Sequence, residues 1–152
     1  MYLQGKKMAS VKNCNLPDDL YYNVENNVWV RKESDGTVTV GMTAYACALA
    51  GEVVAYTPKK VGRTVDVNKS CATVESGKWV GPVKTPIAGE VAAINDAVAA
   101  KPGAINKDPY GEGWLVKLKP SNLDAELGAL VTGAAVATAF EAKMTADGFA
   151  GC

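Results

Sequence analysis

Short apolar runs separated by glycine, proline and asparagine dominate the first 120 residues. Val28–Lys32 and Thr37–Gly41 have strand composition, and Glu33–Gly36 between them ends in Asp-Gly, which suits a hairpin turn because both residues tolerate positive φ. Six further runs have the same character: Glu52–Tyr56, Thr64–Val67, Cys71–Glu75, Val83–Thr85, Glu90–Ile94 and Trp114–Lys119. Their close spacing leaves no room for the crossover helices of a parallel sheet. The pattern therefore predicts a mainly β protein, built as a β-sandwich or flattened barrel.

One short helix is predicted among these strands. Thr43 can cap its N-terminus, residues 44–50 are mostly alanine, and Gly51 follows its end. Farther along, residues 101–113 contain two prolines and three glycines. Such a composition predicts an irregular loop on the surface.

The C-terminal third changes to a helical pattern. Ser121–Asp124 is a cap signal, and it is followed by leucines at helical spacing: Leu123, Leu127 and Leu130. Thr132 is expected to cap a second segment, in which three apolar side chains lie on one face: Val136, Phe140 and Met144. We expect this face to pack against the sheet, because apolar helix faces are far more often core elements than partner-binding surfaces.

These patterns divide the chain into an N-terminal arm (1–20), a β domain (21–120), packed C-terminal helices (121–146) and a tail (147–152). The arm is polar and turn-rich, so it is expected to be extended. The tail is expected to fray, as chain ends commonly do.

The composition argues against several classes of protein. The 16 basic and 16 acidic residues cancel, so no basic field is available for nucleic acid. The apolar runs are too short for a membrane span, and the N-terminus lacks the features of a secretory signal, so a cytoplasmic protein is expected. The absence of histidine removes the commonest general base and the commonest zinc ligand.

Four cysteines are scattered along the chain without Cys-x-x-Cys spacing: Cys14, Cys47, Cys71 and Cys152. In a reducing compartment we expect free thiols, some of them buried as small hydrophobic residues. A cysteine-dependent enzyme is the weakest functional hypothesis, because no histidine is present to activate a thiol.

Lys78 is the candidate functional residue. It lies in Val74–Trp79 between two strand runs, where Gly77 permits a tight turn. It could be an ordinary exposed lysine, a catalytic amine, or a lysine that another enzyme acylates. A catalytic amine needs burial or a neighbouring cation to lower its pKa, which polar, glycine-rich surroundings do not offer. On the local sequence alone, the ordinary turn lysine is favoured.

The wider sequence changes this interpretation. Several segments follow one another in a characteristic order: Val28–Val30, Gly41–Ala46, Gly51–Val54, Val61–Val65, Val74–Lys78, Pro86–Val91 and Asn106–Lys117. In this order the chain, from about Tyr22 to Lys119, resembles the H protein of the glycine cleavage system and its lipoate-carrying relatives. The last segment is the most specific.

The resemblance implies a lipoyl-domain-like (hammerhead) fold and a carrier protein that is not itself an enzyme. It implies lipoate in amide linkage to Lys78, with Glu75 as the acidic residue three positions earlier. Ser76, Gly77 and Trp79 would complete the surface that a lipoate ligase recognises. Lipoylation would replace the ammonium charge with a flexible tether whose dithiolane exchanges thiols and disulfides at partner enzymes. A biotin carrier would have methionine on both sides of the lysine, so biotin is not expected.

Two departures from the glycine-cleavage pattern indicate a different client. Family members have a His-Glu pair before the first tryptophan, where this chain reads Asn27-Val28-Trp29. The candidate lysine is followed by Trp79–Lys84 instead of a small residue and an acidic, alanine-rich turn. In these features the chain is similar to the lipoate-binding proteins of the bacterial sulfur-oxidising heterodisulfide-reductase-like system.

The preferred hypothesis is therefore a carrier of sulfur intermediates. Its partners would be a lipoate ligase, a heterodisulfide-reductase-like complex and dihydrolipoamide dehydrogenase-type enzymes. Two alternatives are a glycine cleavage H protein that carries an aminomethyl group and an interaction module that keeps the fold without lipoate. Trp79 is either a core anchor or a docking aromatic.

Overall fold

The computed structural model describes residues 8–152. Its strands are β1 (Met8–Val11), β2 (Cys14–Pro17), β3 (Tyr21–Asn23), β4 (Val28–Lys32), β5 (Val38–Met42), β6 (Val53–Pro58), β7 (Thr64–Val65), β8 (Ser70–Ser76), β9 (Val80–Lys84), β10 (Gly89–Ile94) and β11 (Val116–Pro120). Its helices are α1 (Ala44–Ala50), α2 (Asp96–Ala100), α3 (Ala104–Lys107), α4 (Leu123–Leu127) and α5 (Ala135–Ala146).

The strands form three antiparallel sheets. β1 pairs with β2, six strands pair in the order β3-β4-β5-β11-β10-β7, and three pair in the order β6-β8-β9. Val40 and Val116 of the larger sheet belong to the same buried cluster as Val74 and Val83 of the smaller sheet, so the main core involves both sheets. The prediction of a mainly β sandwich is confirmed, and in the described part of the chain the sheets do not close into a barrel.

Helix α1 has the predicted bounds because its two ends are encoded locally. The Thr43 hydroxyl accepts a hydrogen bond from Ala46 N at 3.0 Å, which satisfies one of the free N–H groups of the first turn. At the other end Gly51 adopts φ +79°, a conformation that a residue with a Cβ rarely takes, and donates its N–H to the Cys47 carbonyl at 3.0 Å.

The predicted loop at residues 101–113 is more ordered than its composition indicates. It contains α3 and follows α2, whose first turn is capped by Asn95. The Asn95 side chain accepts from Val98 N at 3.2 Å and donates to the carbonyls of Glu112 and Trp114 at 2.8 and 2.7 Å. The buried Asn95 side chain therefore holds the end of this segment, at Glu112 and Trp114, against the start of α2.

A charged row crosses three strands of the larger sheet. Thr39 lies opposite Arg31 and Lys117 in the strand register, and Glu33 accepts from Thr39 Oγ1 at 2.6 Å and from Arg31 Nε at 3.0 Å. Partial burial by itself raises the pKa of Glu33. The hydrogen bonds from Thr39 and Arg31, with the charges of Arg31 and Lys117, outweigh it and lower the pKa from its usual 4.5. The ionised carboxylate therefore stabilises the folded state.

The apolar face of α5 is buried as predicted, but its partners include the N-terminal segment. Val136, Phe140 and Met144 share a second core cluster with Leu16 and Trp29. Residues 8–17, expected to be part of an extended arm, instead form the β1–β2 hairpin that contributes to this cluster.

The predicted cap of α5 is wrong. Thr132 donates its hydroxyl to the Leu20 carbonyl at 2.7 Å, and α5 begins at Ala135 without a side-chain cap. The Thr132 hydroxyl therefore makes a tertiary contact with Leu20, which follows the N-terminal hairpin, and does not cap the helix.

Two cysteines depart from the expectation of free thiols. Cys14 and Cys152 form a disulfide across 138 positions, while Cys47 and Cys71 are free and buried. The tail does not fray, because Cys152 N donates to the Lys12 carbonyl at 2.8 Å and Phe149 packs on Tyr45 with ring centroids 4.6 Å apart. The pairing brings the two ends of the described chain together, which no local spacing indicates.

Candidate functional site

Lys78 lies at the end of a hairpin, as the sequence predicts. β8 and β9 are joined by residues 77–79, which we call the Lys78 turn, and Ser76 N donates to the Trp79 carbonyl at 2.7 Å to close it. Gly77 and Lys78 are exposed, and a Cβ added to Gly77 would meet no atom within 4 Å. Glu75 is exposed on β8 opposite Val80. The amine is therefore presented at the surface of the smaller sheet.

Ser76 is buried, unlike the other residues expected to form the recognition surface. The residue is 6% exposed, and its hydroxyl donates to the Ala50 carbonyl at 2.5 Å. Lys78 N donates to the same hydroxyl oxygen at 3.3 Å. The side chain therefore connects the Lys78 turn to the C-terminal end of α1 and does not face a visiting enzyme.

The floor below the lysine is formed by the segment after α1. A Cβ added to Gly51 would lie 3.1 Å from Cε of Lys78, so the lysine stem passes over this glycine. Asn106 of α3 donates to the Gly51 carbonyl at 2.8 Å and accepts from Val53 N at 2.8 Å. One side chain of α3 thus fixes the Gly51 carbonyl and the Val53 N–H group that follows it.

A groove of about 210 Å³ lies beside the Lys78 turn. It is lined by Asn26, Asn27, Val28, Met42, Ala46, Leu49, Ala50, Trp79, Pro82 and Val83. None of these side chains is charged. Trp79 is 40% exposed, and its indole lies against Gly81, where an added Cβ would be 2.2 Å from the ring. Trp79 is therefore a surface aromatic and not a core anchor.

Cys47 and Cys71 are the free cysteines of residues 8–152, and both are buried. Burial raises the pKa of both Cys47 and Cys71 to about 12, so their thiolates are scarce near neutral pH. Within residues 8–152 no group of three or more histidine, cysteine or acidic residues is placed to hold a metal ion. In the same range no helix has the length and hydropathy needed to cross a membrane. Lys78 itself is exposed and lacks the burial that a catalytic amine requires.

Two residues that support the Lys78 turn, Gly51 and Asn106, were not among the site residues that the sequence predicts. Gly51 had a visible role as a helix end, and Asn106 opens the most specific segment of the resemblance. Their proximity to Lys78 depends on the packing of α1 and α3 under the hairpin.

Known proteins are similar to this chain over a range that includes the Lys78 turn, Gly51 and Asn106. The family model described as glycine cleavage H-protein matches residues 20–143. Glycine cleavage system H protein 5 of Aquifex aeolicus is 51% identical over 127 residues, covering 82% of this chain and 86% of that protein. The glycine cleavage system H protein of Cronobacter sakazakii is 42% identical over 130 residues, covering 86% of this chain and 96% of that protein.

A solved structure shows the same similarity in three dimensions. The crystal structure of a glycine cleavage system H protein from Mycobacterium marinum matches with a TM-score of 0.71 at 30% identity, covering 88% of this chain and 100% of that one. The family match at residues 20–143 takes in the six-stranded sheet, the three-stranded sheet and helices α1 to α4.

Proposed function

Because the chain belongs to the glycine cleavage H-protein family, we propose that Lys78 is the residue through which it carries lipoate. Members of this family are lipoyl carriers with the group covalently attached to a lysine. The observation that supports Lys78 as this lysine is its exposed position in the turn between β8 and β9. A ligase can reach an amine there, and the paired strands β8 and β9 fix the position of the turn that carries it.

The residues around Lys78 fit an amide-linked group. The space beside Gly77 is open, and Gly51 leaves room for the lysine stem. Within residues 8–152, no carboxylate forms an ion pair with the Lys78 amine, so acylation, which removes the charge, breaks no such pair. When bound, lipoate supplies thiol–disulfide exchange at the end of a long tether. The chain contributes a fixed and accessible attachment point.

The cargo that we infer is the aminomethyl group of glycine cleavage. The partners would be a lipoate ligase, glycine decarboxylase and dihydrolipoamide dehydrogenase. The names of the similar proteins, all glycine cleavage system H proteins, support this inference. They give no support to the sulfur carrier that the sequence departures favoured.

Trp79 is the structural observation that keeps the sulfur carrier as a second candidate. Its half-exposed indole lines the groove next to the attachment lysine. Aromatic rings make favourable contacts with sulfur, so the sulfur that such a cargo adds to the two dithiolane sulfurs would have a complementary surface there. In that case the partner would be a heterodisulfide-reductase-like complex.

The attachment site can be tested by mass spectrometry of protein produced with a lipoate ligase. We expect a lipoyl adduct on the peptide that contains Lys78, absent in Lys78→Ala and retained in Lys84→Ala, which alters an exposed lysine of the same hairpin. An adduct that persists in Lys78→Ala would refute the assignment. An unmodified wild-type lysine in the presence of the active cognate ligase would support the interaction module instead.

The cargo can be tested on the lipoylated protein. Incubation with glycine decarboxylase and glycine should yield an aminomethyl adduct, detected by intact mass. If no such adduct forms, and a sulfur adduct forms with the sulfur-oxidising enzymes, the glycine-cleavage assignment is wrong. The Lys78→Ala variant, carried through both reactions, shows which adducts depend on the tether.

A further inference from the structure

Ser76 joins two parts of the chain that are 26 positions apart. Ala50 is the last residue of α1, so its carbonyl has no partner within the helix. The Ser76 hydroxyl donates to this carbonyl at 2.5 Å and accepts from Lys78 N at 3.3 Å. One side chain thus satisfies the end of the helix and holds the backbone of the candidate lysine.

Burial makes this connection effective. With Ser76 only 6% exposed, water competes poorly for its hydroxyl, and hydrogen bonds in such surroundings are stronger than at the surface. The Lys78 turn itself is short and contains Gly77, which has open space around it. Such a turn has few steric limits of its own, so the bonds to Ser76 restrict its orientation.

We propose that Ser76 is a positioning residue for the acylation of Lys78. The proposal rests on the attachment at Lys78 described above. By bonding to both α1 and Lys78 N, Ser76 holds the turn in the orientation in which the lysine stem passes over Gly51. Without this bond the turn also samples other orientations, so the orientation that the ligase binds is less populated. The apparent affinity of the ligase for the carrier falls in proportion to that population. The effect is on KM, while kcat on the bound lysine is retained.

The test is lipoate transfer by a ligase at varied carrier concentration, using Ser76→Ala. Of the two hydrogen bonds that Ser76→Ala removes, the one from Lys78 N restrains the turn directly. We expect KM to rise about five- to tenfold, the effect of losing this one bond of ordinary strength, with kcat unchanged. Ser76→Thr keeps a hydroxyl and should recover most of the loss. Ser70→Ala is the matched control, because Ser70 lies on the same strand and its hydroxyl bonds to the Ala72 carbonyl at 3.0 Å. Its KM should equal that of the wild type.

Hydrogen exchange on the wild-type protein provides a second readout that needs no variant. The Lys78 amide, which donates to the buried hydroxyl, should exchange more slowly than the Gly77 amide. Exchange of the Lys78 amide at the rate of an unstructured peptide would overturn the proposal, as would an unchanged KM in Ser76→Ala or an equal rise in Ser70→Ala. Failure of wild-type Lys78 to accept lipoate would instead refute the proposed attachment site, so the two failures are distinguishable.

Discussion

Replacing Cys152, an exposed residue, removes the disulfide and should cause a large loss of stability. Cys152 is exposed and Cys14 is fully buried. Cys152→Ala therefore breaks the crosslink with little loss of packing, and it leaves Cys14 in place as a small hydrophobic residue. The measured effect then reports on the crosslink itself.

The size of the effect follows from the length of chain that the disulfide closes. For a separation of 138 residues, the chain-entropy relation gives about 5 kcal/mol at 25 °C. Measured values are generally smaller, because unfolded chains retain structure, and about 2–4 kcal/mol is typical. We expect Cys152→Ala to lower the free energy of unfolding by this smaller amount, which corresponds to a decrease in Tm of roughly 4–16 °C for a chain of this size.

The assay is urea denaturation of the oxidised wild type and of Cys152→Ala, each with and without a reductant. Reduction should destabilise the wild type to the level of the variant and leave the variant unchanged. Thiol titration in denaturant should detect the two free thiols, Cys47 and Cys71, in the oxidised wild type and a third in the variant. Four free thiols in the purified wild type, or a variant within about 0.5 kcal/mol of the oxidised wild type, would refute the reasoning.

Three further changes test other contacts. Gly81→Ala places a Cβ 2.2 Å from the Trp79 ring, so the indole must move. The tryptophan fluorescence emission should therefore change. An unchanged spectrum would contradict the packing of Trp79 on this glycine. Asn95→Ala removes a helix cap and two partly buried hydrogen bonds and should lower the free energy of unfolding by about 2–4 kcal/mol in chemical denaturation. Asn122→Ala, at the start of α4 without a side-chain cap bond, is the control, and equal losses would count against the Asn95 argument. The pKa of Glu33 is lowered on folding, so its contribution is present above the unfolded value of 4.5 and is lost as pH falls through the lower folded value. Glu33→Gln should flatten the acid side of the stability profile measured by denaturation, and identical slopes would exclude that contribution.

Local sequence patterns were sufficient to predict most of the strands, the bounds of α1 and the exposed position of Lys78. Each of these depends on residues that are neighbours along the chain, such as Thr43 and Gly51 at the two ends of α1. The order of the segments also indicated the correct family. It kept the glycine-cleavage carrier only as the alternative to a sulfur carrier, because the departure at Trp79 was weighed above the overall similarity, and the similar proteins support that alternative better.

The tertiary structure alone decided which distant groups meet. The bond from Ser76 to Ala50, the contact of Asn106 with Gly51 and the Cys14–Cys152 disulfide join residues 26 to 138 positions apart. A hydroxyl, an amide or a thiol has no local pattern that identifies its partner. The partner is selected when packing removes these groups from water, since a buried polar group without a hydrogen bond is costly. The sequence thus located the lysine, whereas the packing of α1 and α3 beneath the hairpin determined how it is held.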